Sequence, residues 1–171
     1  MNKWHIVCVK CLEMKYLYKI LIPLLLILGI YACEDIERYS EIPEVKFKEF
    51  RYDDTTLVFE FIDGDGDLGL EQFDTIEPFN PGNKYFYNLF IDYYKHSNGQ
   101  SEKIEFKFPT SLRFRTIPEP EGNNKTLKGD IEVDLQYSLP LELPDTFIIK
   151  FQIVDRALHE SNVDSSGFLS Y

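Results

Sequence analysis

Asp63-Gly64-Asp65-Gly66-Asp67-Leu68-Gly69 carries three carboxylates on alternate residues, directly after the apolar run Leu57-Val58-Phe59-Glu60-Phe61-Ile62. Like charges this close repel, so the segment needs either full solvation or a bound cation. An all-oxygen ligand set suits a hard divalent ion such as Ca²⁺, and a glycine-rich backbone can wrap around one. Two readings follow: a calcium loop, or an ordinary solvated Asp-Gly turn. Magnesium suits the pattern less well, because its strict octahedron retains several waters.

The spacing overlaps only partly with the helix-flanked EF-hand loop. Asp63, Asp65 and Asp67 match its first, third and fifth positions, but Leu68 stands where the glycine belongs and Gly69 comes one residue late. The twelfth position falls on Asp74, and the flanks read as strand and loop. The same ligand chemistry is therefore expected on a different scaffold. Other chemistry is sparse. His96 and His159 read as exposed loop residues, and there is no G-x-S-x-G elbow or phosphate-cradling loop. Cys8 and Cys11 form a C-x-x-C without a second pair to complete a zinc site. Paired carboxylates can hydrolyse glycosides, but carboxylates clustered this tightly suit a metal better. No catalytic residue is assigned, and the chain is read as non-enzymatic.

The elements that must position this loop follow period two almost throughout. A first strand is expected over Val45 to Phe50 and a second over Leu57 to Ile62, with Leu57, Phe59 and Phe61 inward. Tyr85 to Tyr94 reads as a long aromatic strand, and Asn98-Gly99 as a hairpin turn. The returning strand places Ile104, Phe106 and Phe108 on one face, and Pro109 ends it. Leu112 to Ile117 is a weaker strand, with Arg113 and Arg115 along a solvated edge. Leu127, Ile131, Val133 and Leu135 alternate with polar residues, Phe147 to Ile153 follows, and a last strand falls within Val163 to Tyr171. Seven to eight short strands without an amphipathic helix point to an all-β fold, an immunoglobulin-like Greek-key β-sandwich.

That fold adds a distant residue to the loop. In such a sandwich the connections after the second and sixth core strands share one pole. The acidic loop follows one and Asp155 follows the other, so Asp155 is expected beside Asp63, Asp65 and Asp67. Glu71 and backbone carbonyls would complete the roughly six to eight oxygens that Ca²⁺ takes. The alternative for Asp155 is a local ion pair with Arg156.

The amino terminus has a separate logic. Met14-Lys15-Tyr16-Leu17-Tyr18-Lys19 is a basic start, Ile20 to Ile30 an apolar stretch too short for a comfortable span, and Ile30-Tyr31-Ala32-Cys33 resembles a bacterial lipobox. Residues 1–32 are read as the signal-peptide segment with Met14 as a candidate start of translation, Cys33 as the lipidated residue, 33–43 as an acidic tether, and 44–171 as the sandwich. The alternatives are a plain signal peptide or a membrane anchor. The full chain has a formal charge of −11. Without residues 1–32, 14 basic and 28 acidic residues remain, a charge of −14. This acidity argues against a nucleic-acid partner, which needs a basic footprint. At 44% hydrophobic and 15% aromatic residues, the chain has enough apolar material for a packed core.

The lipobox, the run F-x-F-I-D-G-D-G-D-L-G and the late I-V-D-R-A-L-H-E-S-N together resemble a family of small, uncharacterised Gram-negative outer-membrane lipoproteins. The late motif is also similar to the D-x-x-G-N-x-S ending of bacterial immunoglobulin-like domains, with Leu158-His159 replacing a small residue and Gly. The resemblance implies a sandwich, bound calcium and an outer-membrane location, periplasmic or surface-exposed; it carries no activity. Three functions are consistent with this reading. The first is a calcium-stabilised binding or structural module at the cell envelope. The second is a carbohydrate-binding lipoprotein of a glycan-uptake system that uses aromatics of residues 85–94. The third, weaker one is a metal-dependent hydrolase.

Overall fold

A computed structural model describes residues 39–118, 120, 122–136 and 144–170, with Lys19 alone before them. The chain divides into two compact units, Met1–Glu37 and Arg38–Tyr171, and the fold described is that of the second. The signal peptide, Met14 and Cys33 lie outside the described residues. Among those residues no helix is long and apolar enough to cross a membrane.

The unit is a sandwich of two antiparallel sheets. One has the order β1-β2-β5, from β1 (Glu44–Arg51), β2 (Thr56–Asp63) and β5 (Leu127–Asp134). The other has the order β4-β3-β6-β7, from β3 (Leu89–Ser97), β4 (Gln100–Lys103), β6 (Thr146–Ile153) and β7 (Asp164–Ser165); β8 (Leu169–Ser170) also pairs with β6. Strict alternation selects the inner faces. Leu57, Phe59 and Phe61 of β2 face Phe147, Ile149, Phe151 and Ile153 of β6, all buried. Phe59 stacks on Phe151 with ring centroids 4.6 Å apart, joining the layers at their centre. Tyr93 and Ile91 of β3 and Val133 of β5 fill the flanks.

Three expected strands differ, each for a local reason. Tyr85 to Tyr87 is not part of the aromatic strand, because the Asn83 side chain accepts from the Tyr85 amide (3.1 Å) and starts a 3₁₀ turn, Lys84–Phe86. Such side-chain bonds compete directly with the ladder. The hairpin's return strand stops at Lys103. Beyond it, Phe106 folds edge-on against Tyr93 (5.4 Å), while Phe108 is 81% exposed. Leu112 to Ile117 makes only isolated bridges, Leu112 to Leu89 and Arg115 to Leu70. Within it Arg113 is no solvated edge residue: it donates to the carbonyls of Phe86, Glu71 and Asp74.

Polar side chains close what the ladders leave open. The Asn162 side chain accepts from the Val45 amide (2.9 Å) and donates to the Val45 carbonyl (2.8 Å), and Asp164 accepts from the Phe47 amide (2.5 Å). The edge of β1 is thus stitched to the segment running into β7. Buried Asn88 pairs in the same two-way manner with the backbone of Phe114. Replacing Phe59 by Ala should cost about 3–5 kcal/mol by urea unfolding, from lost transfer energy plus an inter-sheet cavity. The same truncation of exposed Phe108 should stay within about 0.5 kcal/mol.

Candidate metal centre

The parity that builds the core also builds the site. Along β2 the inward series Leu57, Phe59, Phe61 continues to Asp63, and along β6 the series Phe147, Ile149, Phe151, Ile153 continues to Asp155. The two inward series, one ending at the last residue of β2 and the other two residues past the end of β6, therefore each finish on a carboxylate at the same pole. Both are buried, Asp63 at 0% exposure and Asp155 at 1%.

The loop after β2 turns back to bring two more carboxylates to this point. Gly66 permits the turn: its φ is +76°, and a Cβ there would lie 2.2 Å from the Lys125 carbonyl oxygen. Leu68 is fully buried in the core, and its carbonyl accepts from the Ile117 amide (3.2 Å). The residue that breaks the EF-hand pattern is the apolar plug that pins the loop. Asp67 accepts from the Ala157 amide (3.0 Å), tying the first loop to the one after β6.

As a result, Asp63, Asp65, Asp67 and Asp155 each offer an oxygen, and these atoms all lie within 4.8 Å of one another. The cluster could hold a metal ion. Both Asp63 oxygens, and one oxygen each of Asp65 and Asp67, are buried without a hydrogen-bond donor. Two unit charges 4 Å apart repel by about 4 kcal/mol at an effective dielectric near 20, so four carboxylates are not held together here by one another. Burial, then the charges of Asp65, Asp67 and Asp155, push the Asp63 carboxyl up to about 7. Burial and neighbouring carboxylates also raise Asp67. Asp155 is raised by burial despite two opposing bonds from His159.

Those bonds revise the place of His159. Its amide and its Nδ1 meet the two Asp155 oxygens at 2.7 and 2.9 Å, so it orients Asp155 rather than standing free in a loop, and the bond in turn raises its own pKa. Glu71 is not in the cluster: it is exposed, its amide donates to Asp74, and its carbonyl accepts from Arg113. Asp74 is likewise elsewhere, paired with Arg156 at 2.9 Å. Arg156 therefore serves Asp74, and Asp155 serves the cluster. Arg113 carried no sequence signal, since the carbonyls it binds are brought to it by the fold alone. His159 stands four residues after Asp155 in the late motif, a spacing that could have suggested the contact. Comparison with protein-family models, with curated proteins and with solved structures finds no match to this chain.

The raised Asp63 pKa sets a pH dependence for the metal-free protein. Between the unfolded value near 3.8 and the folded value of about 7, the folded state holds the proton more tightly. Stability in chelator should therefore be greatest below about pH 4, as far as this group contributes, and fall as pH rises to 7. Urea unfolding in EDTA across that window should show the decline, and Asp63→Asn should make it shallower, the raised Asp67 and Asp155 carboxyls leaving a residual slope.

Proposed function

We propose that this protein is a calcium-stabilised, non-enzymatic binding or structural module of the cell envelope, held at the outer membrane by a lipid on Cys33. The observation that carries the calcium reading is Asp63, fully buried with neither carboxylate oxygen given a donor. A buried anion needs a counter-charge, and three further carboxylates converge on it where a cation would supply one. Oxygen-only donors favour a hard ion, and a flexible loop with backbone carbonyls at hand suits the larger, less exacting Ca²⁺ over Mg²⁺. The sheet orders β1-β2-β5 and β4-β3-β6-β7 support an immunoglobulin-like Greek key, in which such an ion braces one pole. The lipobox Ile30-Tyr31-Ala32-Cys33 supports the anchor, and the acidic charge speaks against nucleic acid as a partner.

Calcium at a hundredfold excess over its Kd should stabilise the fold by about 2.7 kcal/mol and raise Tm by on the order of 10 °C relative to chelator. Asp65→Ala should abolish that response. A melt indifferent to both calcium and chelator would remove the calcium reading.

Glycan capture is a second reading, favoured by a concavity of about 480 Å³ lined by Phe86, Tyr87, Phe90, Pro81, Pro109 and Asn83. Aromatic rings beside an amide are a lining that suits sugar C–H groups, although Arg113 lies over the Phe86 ring and Lys84 over the Phe90 ring. Soluble α- or β-glucan in a native gel should retard the protein, and Tyr87→Ala and Phe90→Ala should each restore mobility. Unretarded migration of the unmodified protein in every gel would exclude these ligands.

A further inference from the structure

We infer that ion binding at the pole latches residues 39–43 onto the domain, so that the ion decides whether the chain leading into β1 is docked or free. The inference rests on the calcium reading above and extends it to the control of an attachment.

Gly64 is the point of contact. It lies between two of the clustered carboxylates, Asp63 and Asp65, so its peptide moves wherever they are drawn. Its amide donates to the Ser40 carbonyl at 2.9 Å, and its carbonyl accepts from the Thr126 hydroxyl at 3.3 Å. A Cβ on Gly64 would lie 2.3 Å from the Ser40 oxygen and 2.6 Å from the Tyr39 oxygen, so loop and lead-in meet backbone to backbone with no room for a side chain. On the outer side, the Lys128 ammonium of β5 lies 5.8 Å from the centre of the Tyr39 ring. From Glu44 onward the chain is held by the ladder to β2, beginning with Glu44 opposite Ile62.

The segment expected as the end of a free tether is thus seated on the ion loop, and its main-chain anchor is the peptide that joins two ligands. With an ion present, that peptide is fixed. Without one, like-charge repulsion works to spread Asp63, Asp65 and Asp67, and the Gly64 amide turns away from Ser40. Binding that favours the docked arrangement must stabilise docking by the same factor by which docking favours the ion.

Chymotrypsin acting on the Tyr39–Ser40 bond of the full chain reads the latch, because a protease needs the bond's neighbours released from structure. Cleavage there should be at least tenfold faster in EDTA than in saturating calcium. Gly64→Ala keeps all four carboxylates but crowds out the Ser40 carbonyl. It should still gain Tm from calcium, while its Tyr39–Ser40 bond is cut at one fast rate with or without the ion. Hydrogen exchange of the Gly64 amide in the unmodified protein gives an independent reading, expected to slow at least tenfold in calcium. If calcium raises Tm but neither cleavage nor exchange responds, the latch is overturned and the calcium reading stands. Persistent calcium protection in Gly64→Ala would also overturn it. If Tm, cleavage and exchange all ignore calcium, the metal reading itself falls and the latch with it.

Discussion

The burial of one face of β2 and one of β6 is the constraint on which the rest of this structure depends, and at the mouth of the sandwich it helps draw four carboxylates to within 4.8 Å of one another. The arrangement is not an accident of surface loops. Two of the four extend the inward-facing series of β2 and β6, so the same alternation that buries Phe59 and Phe151 also buries Asp63 and Asp155. Hydrophobic burial holds the strands in register, and that register forces the charges together. The electrostatic debt at the pole is thus a direct consequence of the core, and the cluster that carries it could hold a metal ion.

Around that point the backbone is tied from several directions. Leu68 plugs the loop into the core, Asp67 binds the Ala157 amide, and Gly66 passes against the Lys125 carbonyl. Arg156 reaches from beside Asp155 to Asp74, and Arg113 collects three carbonyls from the segment 71–86. The long excursion between β2 and β3, which contains little regular structure, is therefore held by a few cationic and amide side chains. An ion that fixes residues 63–67 and 155 would stiffen both loops at once. The lead-in at Ser40 joins the same assembly through Gly64.

Strands whose neighbours alternate cleanly were legible from the chain alone. β1, β2, β5 and β6 lie within a residue or two of their expected positions, because β2, β5 and β6 pair almost end to end and pack one face on the core, while β1 pairs with β2 on either side of a bulge between Phe47 and Glu49. Regions where side chains capture the backbone were not. Asn83 turned the start of the aromatic strand into a 3₁₀ turn, and Asn88 took the backbone of Phe114 that a continuous strand would have used. Period two describes what a ladder would bury. It is blind to a single amide side chain that outcompetes the ladder.

For the site, the sequence by itself determined the donor atoms, all carboxylate oxygens, and a testable set of partners, while leaving a cation and a solvated turn both open. Alternate aspartates after an apolar run point to a cation, and the expected strand order placed Asp155 beside them across some ninety residues. The tertiary structure decided the membership and the surroundings. It excluded Glu71, whose backbone is committed to Asp74 and Arg113, and it brought His159 onto Asp155. It also brought the Ser40 carbonyl onto the Gly64 amide. The His159 contact is local, four residues from Asp155. The others depend on where loop backbones pass one another, settled by contacts between residues distant in sequence, such as Arg113 on Glu71, Gly66 against Lys125 and Gly64 against Ser40. Residue type declares what a side chain can bind; only the packed chain decides which partner arrives.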